Sequence, residues 1–169
     1  WGMGFDLLFA PLSGDDDNYV DDGVGSDLYG SYQWADRVTQ TFGFNSLRYP
    51  GNKHADKTGR WIEPDPVSVR AFYTGVKLHT KPREGFGFYS RFDLGFSSIP
   101  PIDQKVTVGQ QVLGTERAFE GGSDSYFGAG FWMSYRPSER WTLVLGWQFR
   151  EYGRLEGNAS KPGRMAPTE

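Results

Sequence analysis

The sequence predicts an all-β protein, an antiparallel up-and-down transmembrane β-barrel of about eight strands, and three observations carry that expectation. Gly stands at 23 of 169 residues, about double the usual ~7%, and Phe, Tyr and Trp make up 17%. Ala and Leu, the best helix formers, are sparse, so the composition is that of strands and tight turns. Apolar residues recur with period 2, and short and long connections alternate along the whole chain. The chain, 1–169, reads as one domain.

The elements justify this in order. Trp1, Met3, Phe5, Leu7 and Phe9 share one face of the first strand, against Gly2, Gly4, Asp6 and Leu8. Weaker strands read at Leu28 to Trp34 and at Val38 to Leu47, where Val38, Phe42 and Phe44 face outward. From Ser68 to His79, Phe72, Thr74, Val76 and Leu78 oppose Tyr73, Gly75, Lys77 and His79. The clearest window is Phe86 to Phe96, with Phe86, Phe88, Phe92, Leu94 and Phe96 opposite Gly87, Tyr89, Arg91, Asp93 and Gly95. Phe127 to Tyr135 and Trp141 to Phe149 repeat it. Over the four strongest windows one face holds 20 apolar residues in 21 positions and the other 4 in 17. That is the period of a strand and not of a helix.

A soluble sandwich also alternates, so face composition has to separate the two. A sandwich core is typically aliphatic, with Lys, Glu and Thr outside. Here the apolar face is mostly Phe and Trp, and the opposite face is Gly, Ser, Tyr, Gln, Arg and Asp. Aromatic and apolar side chains toward lipid, with a polar, Gly-studded interior, are what a membrane barrel requires. No run approaches the ~18 apolar residues of a spanning helix. With 18 Lys+Arg against 21 Asp+Glu, the net charge is −3, which argues against nucleic acid as a partner. Cys is absent, which removes disulfides, thiolate zinc sites and cysteine nucleophiles.

Connections supply an independent check. Ala35-Asp36-Arg37, Thr80-Lys81-Pro82-Arg83 and Arg136-Pro137-Ser138-Glu139 are short turns; 11–27, 49–66, 97–122 and 153–169 read as long outer loops. Val106 to Leu113 is then a hairpin arm or loop extension. This parity yields seven spanning strands, one short of closure. Two resolutions stay open: the chain is processed and truncated, or Val106–Leu113 completes an eight-stranded barrel with a less regular loop order.

The run Tyr126–Gly153, YFGAGFWMSYRPSERWTLVLGWQFREYG, resembles hairpins of the small outer-membrane β-barrel superfamily that includes OmpA-like and OmpX-like proteins, and more weakly those of the omptin proteases. The resemblance implies a Gram-negative outer membrane, an environment of outer-membrane lipid and lipopolysaccharide, and contact with other envelope proteins. It implies no particular activity. The aromatic residue that usually ends such barrels is missing from Met165-Ala166-Pro167-Thr168-Glu169.

Candidate sites are few. By parity Lys77, Arg91, Asp93, Gln148 and Arg150 face the interior, either as a pore lining that sets charge selectivity or as a satisfied network filling a narrow barrel; the network is the favoured reading. Asp15, Asp16, Asp17, Asp21, Asp22 and Asp27, with Asn18, crowd a predicted outer loop; several carboxylate oxygens can chelate Ca²⁺, but the spacing fails the EF-hand template, and a solvated loop is the simpler reading. His54 and Asp56 stand two apart in the second outer loop; an omptin-like hydrolase needs a His activated by an Asp, though in the order Asp-x-His. The expected role is therefore structural or partner-binding, with a porin-like channel, an omptin-like or lipid-modifying enzyme, and a soluble glycan-binding sandwich as alternatives.

Overall fold

A computed structural model of the chain describes residues 1–11, 20–80, 85–138 and 141–152. Eleven strands and no helix occur among them: β1 (Gly2–Ala10), β2 (Gly23–Ala35), β3 (Val38–Tyr49), β4 (His54–Ala55), β5 (Trp61–Pro64), β6 (Val67–His79), β7 (Phe86–Ile99), β8 (Ile102–Val108), β9 (Gln111–Phe119), β10 (Gly122–Ser138) and β11 (Trp141–Glu151). Seven form one antiparallel sheet in the order β1-β2-β3-β6-β7-β10-β11, curled into a half-barrel. The remaining four form a second sheet, β4-β5-β8-β9.

Local sequence explains the meander. Asp36 and Arg37 alone form the turn between β2 and β3. β2 pairs with β3 from Val24↔Arg48 to Ala35↔Val38. The other strands of the large sheet also pair with the next such strand along the chain, with the excursions β4–β5 and β8–β9 inserted after β3 and β7. The shortest of the seven, β1, has nine residues, long enough for a tilted strand to cross a bilayer.

Several strands run further than the alternation indicates. β2 starts at Gly23, so the end of the expected loop 11–27 is strand, and Asp27 is a fully buried strand residue, not a loop carboxylate. The reason is the concave wall: Gly23, Gly25 and Asp27 alternate with Val24, Ser26 and Leu28, a pattern too polar to read as a strand before its partner is known. β7 runs to Ile99, and most of 97–122 is ordered as the ends of β7 and the β8–β9 hairpin. Likewise 49–66 contributes β4 and β5. Val106–Leu113 is no eighth barrel strand. It holds the end of β8, the Gly109-Gln110 turn and the start of β9, and β8 pairs with β5 and β9 alone.

The faces are inverted relative to a soluble domain. On the convex side Phe96 is 75%, Leu145 73% and Trp147 71% exposed, while on the concave side Asp27, Asn45, Thr41 and Asp93 are fully buried. A small apolar cluster, Leu47, Val69 and Ile99, lies on the concave face toward the end with the long connections, with Leu8 and Ala10 of β1 packed against it. Along the short-turn end the convex face carries Trp1, Tyr32, Trp34, Phe86 and Tyr135, all exposed. Two of these contacts are close pairs, Trp1–Tyr32 with ring centroids 4.7 Å apart and Phe86–Tyr135 at 4.6 Å.

Register builds the concave wall from alternating small and large residues. Gly4, Tyr29, Gly43, Tyr73, Gly95 and Tyr126 stand side by side across six neighbouring strands. The ring of Tyr73 lies over Gly43, where any Cβ would collide with it. That is how a narrow, strongly curved sheet accommodates phenols on its inside.

Candidate functional site

At the centre of the concave face is Arg91. Strand alternation on β7 points both Arg91 and Asp93 inward, and Arg91 Nε donates to Asp93 Oδ2 at 2.8 Å. Its other end crosses the curl to β2, where Nη2 meets Asp27 Oδ2 at 2.7 Å. Both residues are essentially without solvent contact, at 1% and 0% exposure. Further hydrogen bonds to the carboxylates offset the cost of burying such a pair. Tyr73 donates to Asp27 Oδ1 at 2.6 Å, and Gln148 Nε2 donates to Asp93 Oδ2 at 2.8 Å. Arg150 donates to Gln148 Oε1 from Nε (3.0 Å) and Nη2 (2.7 Å) and stands 3.6 Å from Asp27.

Aromatic faces complete the site. The Arg91 guanidinium lies 5.1 Å from the Tyr73 ring centroid and 5.3 Å from those of Tyr29 and Trp132. Lys77 Nζ sits between Tyr89, at 4.3 Å, and Tyr29, at 4.9 Å. The ring quadrupole favours a cation there without a carboxylate. Tyr89 in turn stacks on Trp132, the planes 6° apart.

Lys77, Arg91, Asp93, Gln148 and Arg150 are thus neighbours in one connected set. Alternation did not find Asp27, which lies in what reads as a loop, nor the role of Tyr73; the continued alternation of Gly25, Asp27 and Tyr29 into the strand is the signal that could have found the first. Several buried polar atoms nearby have no partner among the described residues: Asn45 Nδ2 and Oδ1, Thr41 Oγ1, Asp93 Oδ1 and the Tyr126 hydroxyl. Sites of that kind hold ordered water.

The other candidates lie apart from this set. Asp15, Asp16 and Asp17 fall outside the described residues; Asp21 and Asp22 are exposed beside β2, and Asp27 is separated from them by burial. No group of three His, Asp or Glu placed to hold a metal occurs among the described residues. In the β4–β5 turn, Asp56 Oδ1 accepts from Thr58 N, Thr58 Oγ1 and Arg60 N, and Oδ2 accepts from Arg60 Nε at 2.7 Å. The hydrogen bonds from Thr58, then those from Arg60, hold the Asp56 carboxyl well below its ordinary range. Asp56 is therefore committed to its own turn. His54 Nδ1 stands 3.1 Å from Asn52 O.

The fold and this site define a class: a curled antiparallel sheet whose polar ionic centre is inside and whose aromatic face is outside. No family model, no curated protein and no solved structure matches the chain.

Proposed function

We propose that the chain is an outer-membrane β-barrel protein of a Gram-negative envelope, with a structural or partner-binding role among outer-membrane lipid, lipopolysaccharide and other envelope proteins. The observation that carries this reading is the inversion of faces: exposed Phe, Leu and Trp along the convex side of the seven-stranded sheet, and a salt-bridged core on the concave side. In water that arrangement exposes apolar area far beyond the few hundred Å² a monomer ordinarily shows. In a bilayer it is the expected one, and the exposed aromatics along the short-turn end match an interfacial girdle.

The concave side favours the structural role over a passive pore. Arg91, Tyr73 and Lys77 are buried side chains crowding the concave face from β2 to β7, where a channel would leave open space, in keeping with a barrel too narrow for an aqueous lumen. The partner-binding surface would be the second sheet, β4-β5-β8-β9, formed from the two longer connections, with Trp61, Val108, Val112 and Leu113 exposed on it.

The test is electrophoretic mobility of detergent-extracted protein, unboiled against boiled, with planar-bilayer conductance on the same sample. Faster migration of the unboiled band with no conductance is expected. Protein that is soluble without detergent and shows no shift would overturn the membrane reading; discrete conductance steps would replace the structural role with a pore.

A further inference from the structure

Among the described residues the seven-stranded sheet ends on two edges, β1 and β11, and their directions decide what can join them. Every neighbouring pair in the sheet is antiparallel, so β1, β3, β7 and β11 run one way and β2, β6 and β10 the other. The two edge strands are therefore parallel to each other. They cannot close the sheet directly without introducing a parallel pair into an otherwise antiparallel ladder, whereas one strand running opposite to both satisfies both edges with the same pattern.

The space for it is present. Residues from Phe5 to Ala10 on β1 and from Thr142 to Arg150 on β11 line one cavity of about 920 Å³, with Trp132 and Tyr49 also on its wall. Cover is missing at the same place. Most inward-facing residues of β6 and β7 are buried, yet Val144, inward-facing on β11, is 44% exposed, and Thr142 and Gly146 are exposed beside it.

We propose that the gap between β1 and β11 is an acceptor for one β-strand of about nine to eleven residues, supplied by a segment of the same polypeptide that follows Glu169. The polarity admits this source, as it admits a strand preceding Trp1, and the crosslinks below tell the two apart. β11 ends on the side of the long connections, so chain returning from that side runs antiparallel to both edges. The stretch 153–169, with three Gly, two Pro, Asn and Ser and no period-2 alternation, has the composition of another long connection and not of the strand itself. A second copy fits less well, because two copies oriented alike across a membrane set any edge of one parallel to any edge of the next. The neighbours fix the strand's chemistry. Positions facing outward lie between Phe5, Leu7, Leu145 and Trp147 and take Leu, Phe or Trp; inward positions lie over Asp6 and Arg150 and take small or hydrogen-bonding residues.

This inference deepens the barrel reading, and its test separates the two. A photo-crosslinking phenylalanine analogue is placed at Leu7 or at Leu145, both exposed on the convex face, in protein expressed from its complete natural reading frame; Met3 and Leu143 serve as a second pair. The heat-shift assay on these variants reports the membrane barrel independently. From both edges, intramolecular adducts to one and the same segment following Glu169 are expected. An adduct of doubled mass, an adduct to another protein, an adduct of Leu7 to β11 itself, a captured segment preceding Trp1, or no adduct from either pair each overturns the proposal.

Discussion

Lys77 and Arg91 stand directly opposite each other on β6 and β7, two cations facing one another across a ladder and both buried. Like charges in that position are destabilising unless each is compensated elsewhere. Each reaches away from the other: Arg91 to Asp27 and Asp93, Lys77 into the space between Tyr29 and Tyr89. The arrangement makes the carboxylates of β2 and β7 indispensable to the strand pair β6–β7.

Removing one member of this set should therefore be worse than removing an ordinary contact. Asp27→Ala leaves a buried guanidinium with half its charge compensation and Tyr73 without its acceptor, and a loss of about 3–5 kcal/mol is expected. Urea unfolding in vesicles or detergent, followed by Trp fluorescence, measures it. A loss below about 1 kcal/mol, the range of an exposed pair, would contradict the burial described for Arg91 and Asp27.

Two glycines test the packing of the concave wall against the open convex face. A Cβ at Gly75 would fall against Asp93 Oδ1 and lie 2.6 Å from the carbonyl oxygen of Phe92, which cannot move without breaking the ladder. Gly75→Ala should destabilise by about 1–3 kcal/mol through overpacking. At Gly30 the same Cβ meets nothing within 4 Å. Gly30→Ala should leave unfolding unchanged or slightly improve it, and comparable losses at the two positions would show the register to be wrong.

Phe92 lies mid-strand on β7 and is half-exposed on the convex face. If that face meets lipid, Phe92→Arg should cost about 2–4 kcal/mol in vesicles, the value for a cation near the bilayer midplane. A change near zero is the outcome expected of a face in water.

The Asp56 turn has a pH dependence of defined sign. Its carboxyl is held below the ordinary 3.8 by hydrogen bonds from Thr58 first and from Arg60 second, so the turn is favoured above that value and loses this contribution as pH falls through the folded-state pKa. The Thr58 and Arg60 amide resonances should hold steady from neutral pH to about 4 and move only in stronger acid. In Asp56→Ala both amides should exchange faster at neutral pH. Titration of these amides in the ordinary carboxylate range would contradict the geometry.

How much of this was readable from sequence differs element by element. β1, β7, β10 and β11 announce themselves because bulky apolar residues fill one face almost without interruption, so period 2 dominates any local ambiguity. The first residues of β2 do not, since Gly23-Val24-Gly25-Ser26-Asp27 offers one large apolar side chain in five and resembles a loop until β3 is seen beside it. β4 and β5 are too short, at two and four residues, to show a period. The inward direction of Arg91 and Asp93 follows from alternation, but the bond from Arg91 to Asp27 joins positions 64 residues apart and depends on curvature as well as register. Alternation carries no information about curvature.

That same bond has a consequence in time. Pairing in the large sheet is a chain of neighbours, so strands can be added one hairpin after another, starting at the two-residue turn between β2 and β3. Between β2 and β7 stand β3 and β6, and Arg91 finds Asp27 only after all four strands have joined and bent toward one another. This buried ion pair then forms only after the three hairpin steps that join β2 to β7. Substitutions at Asp27 should accelerate unfolding while leaving the refolding rate nearly unchanged.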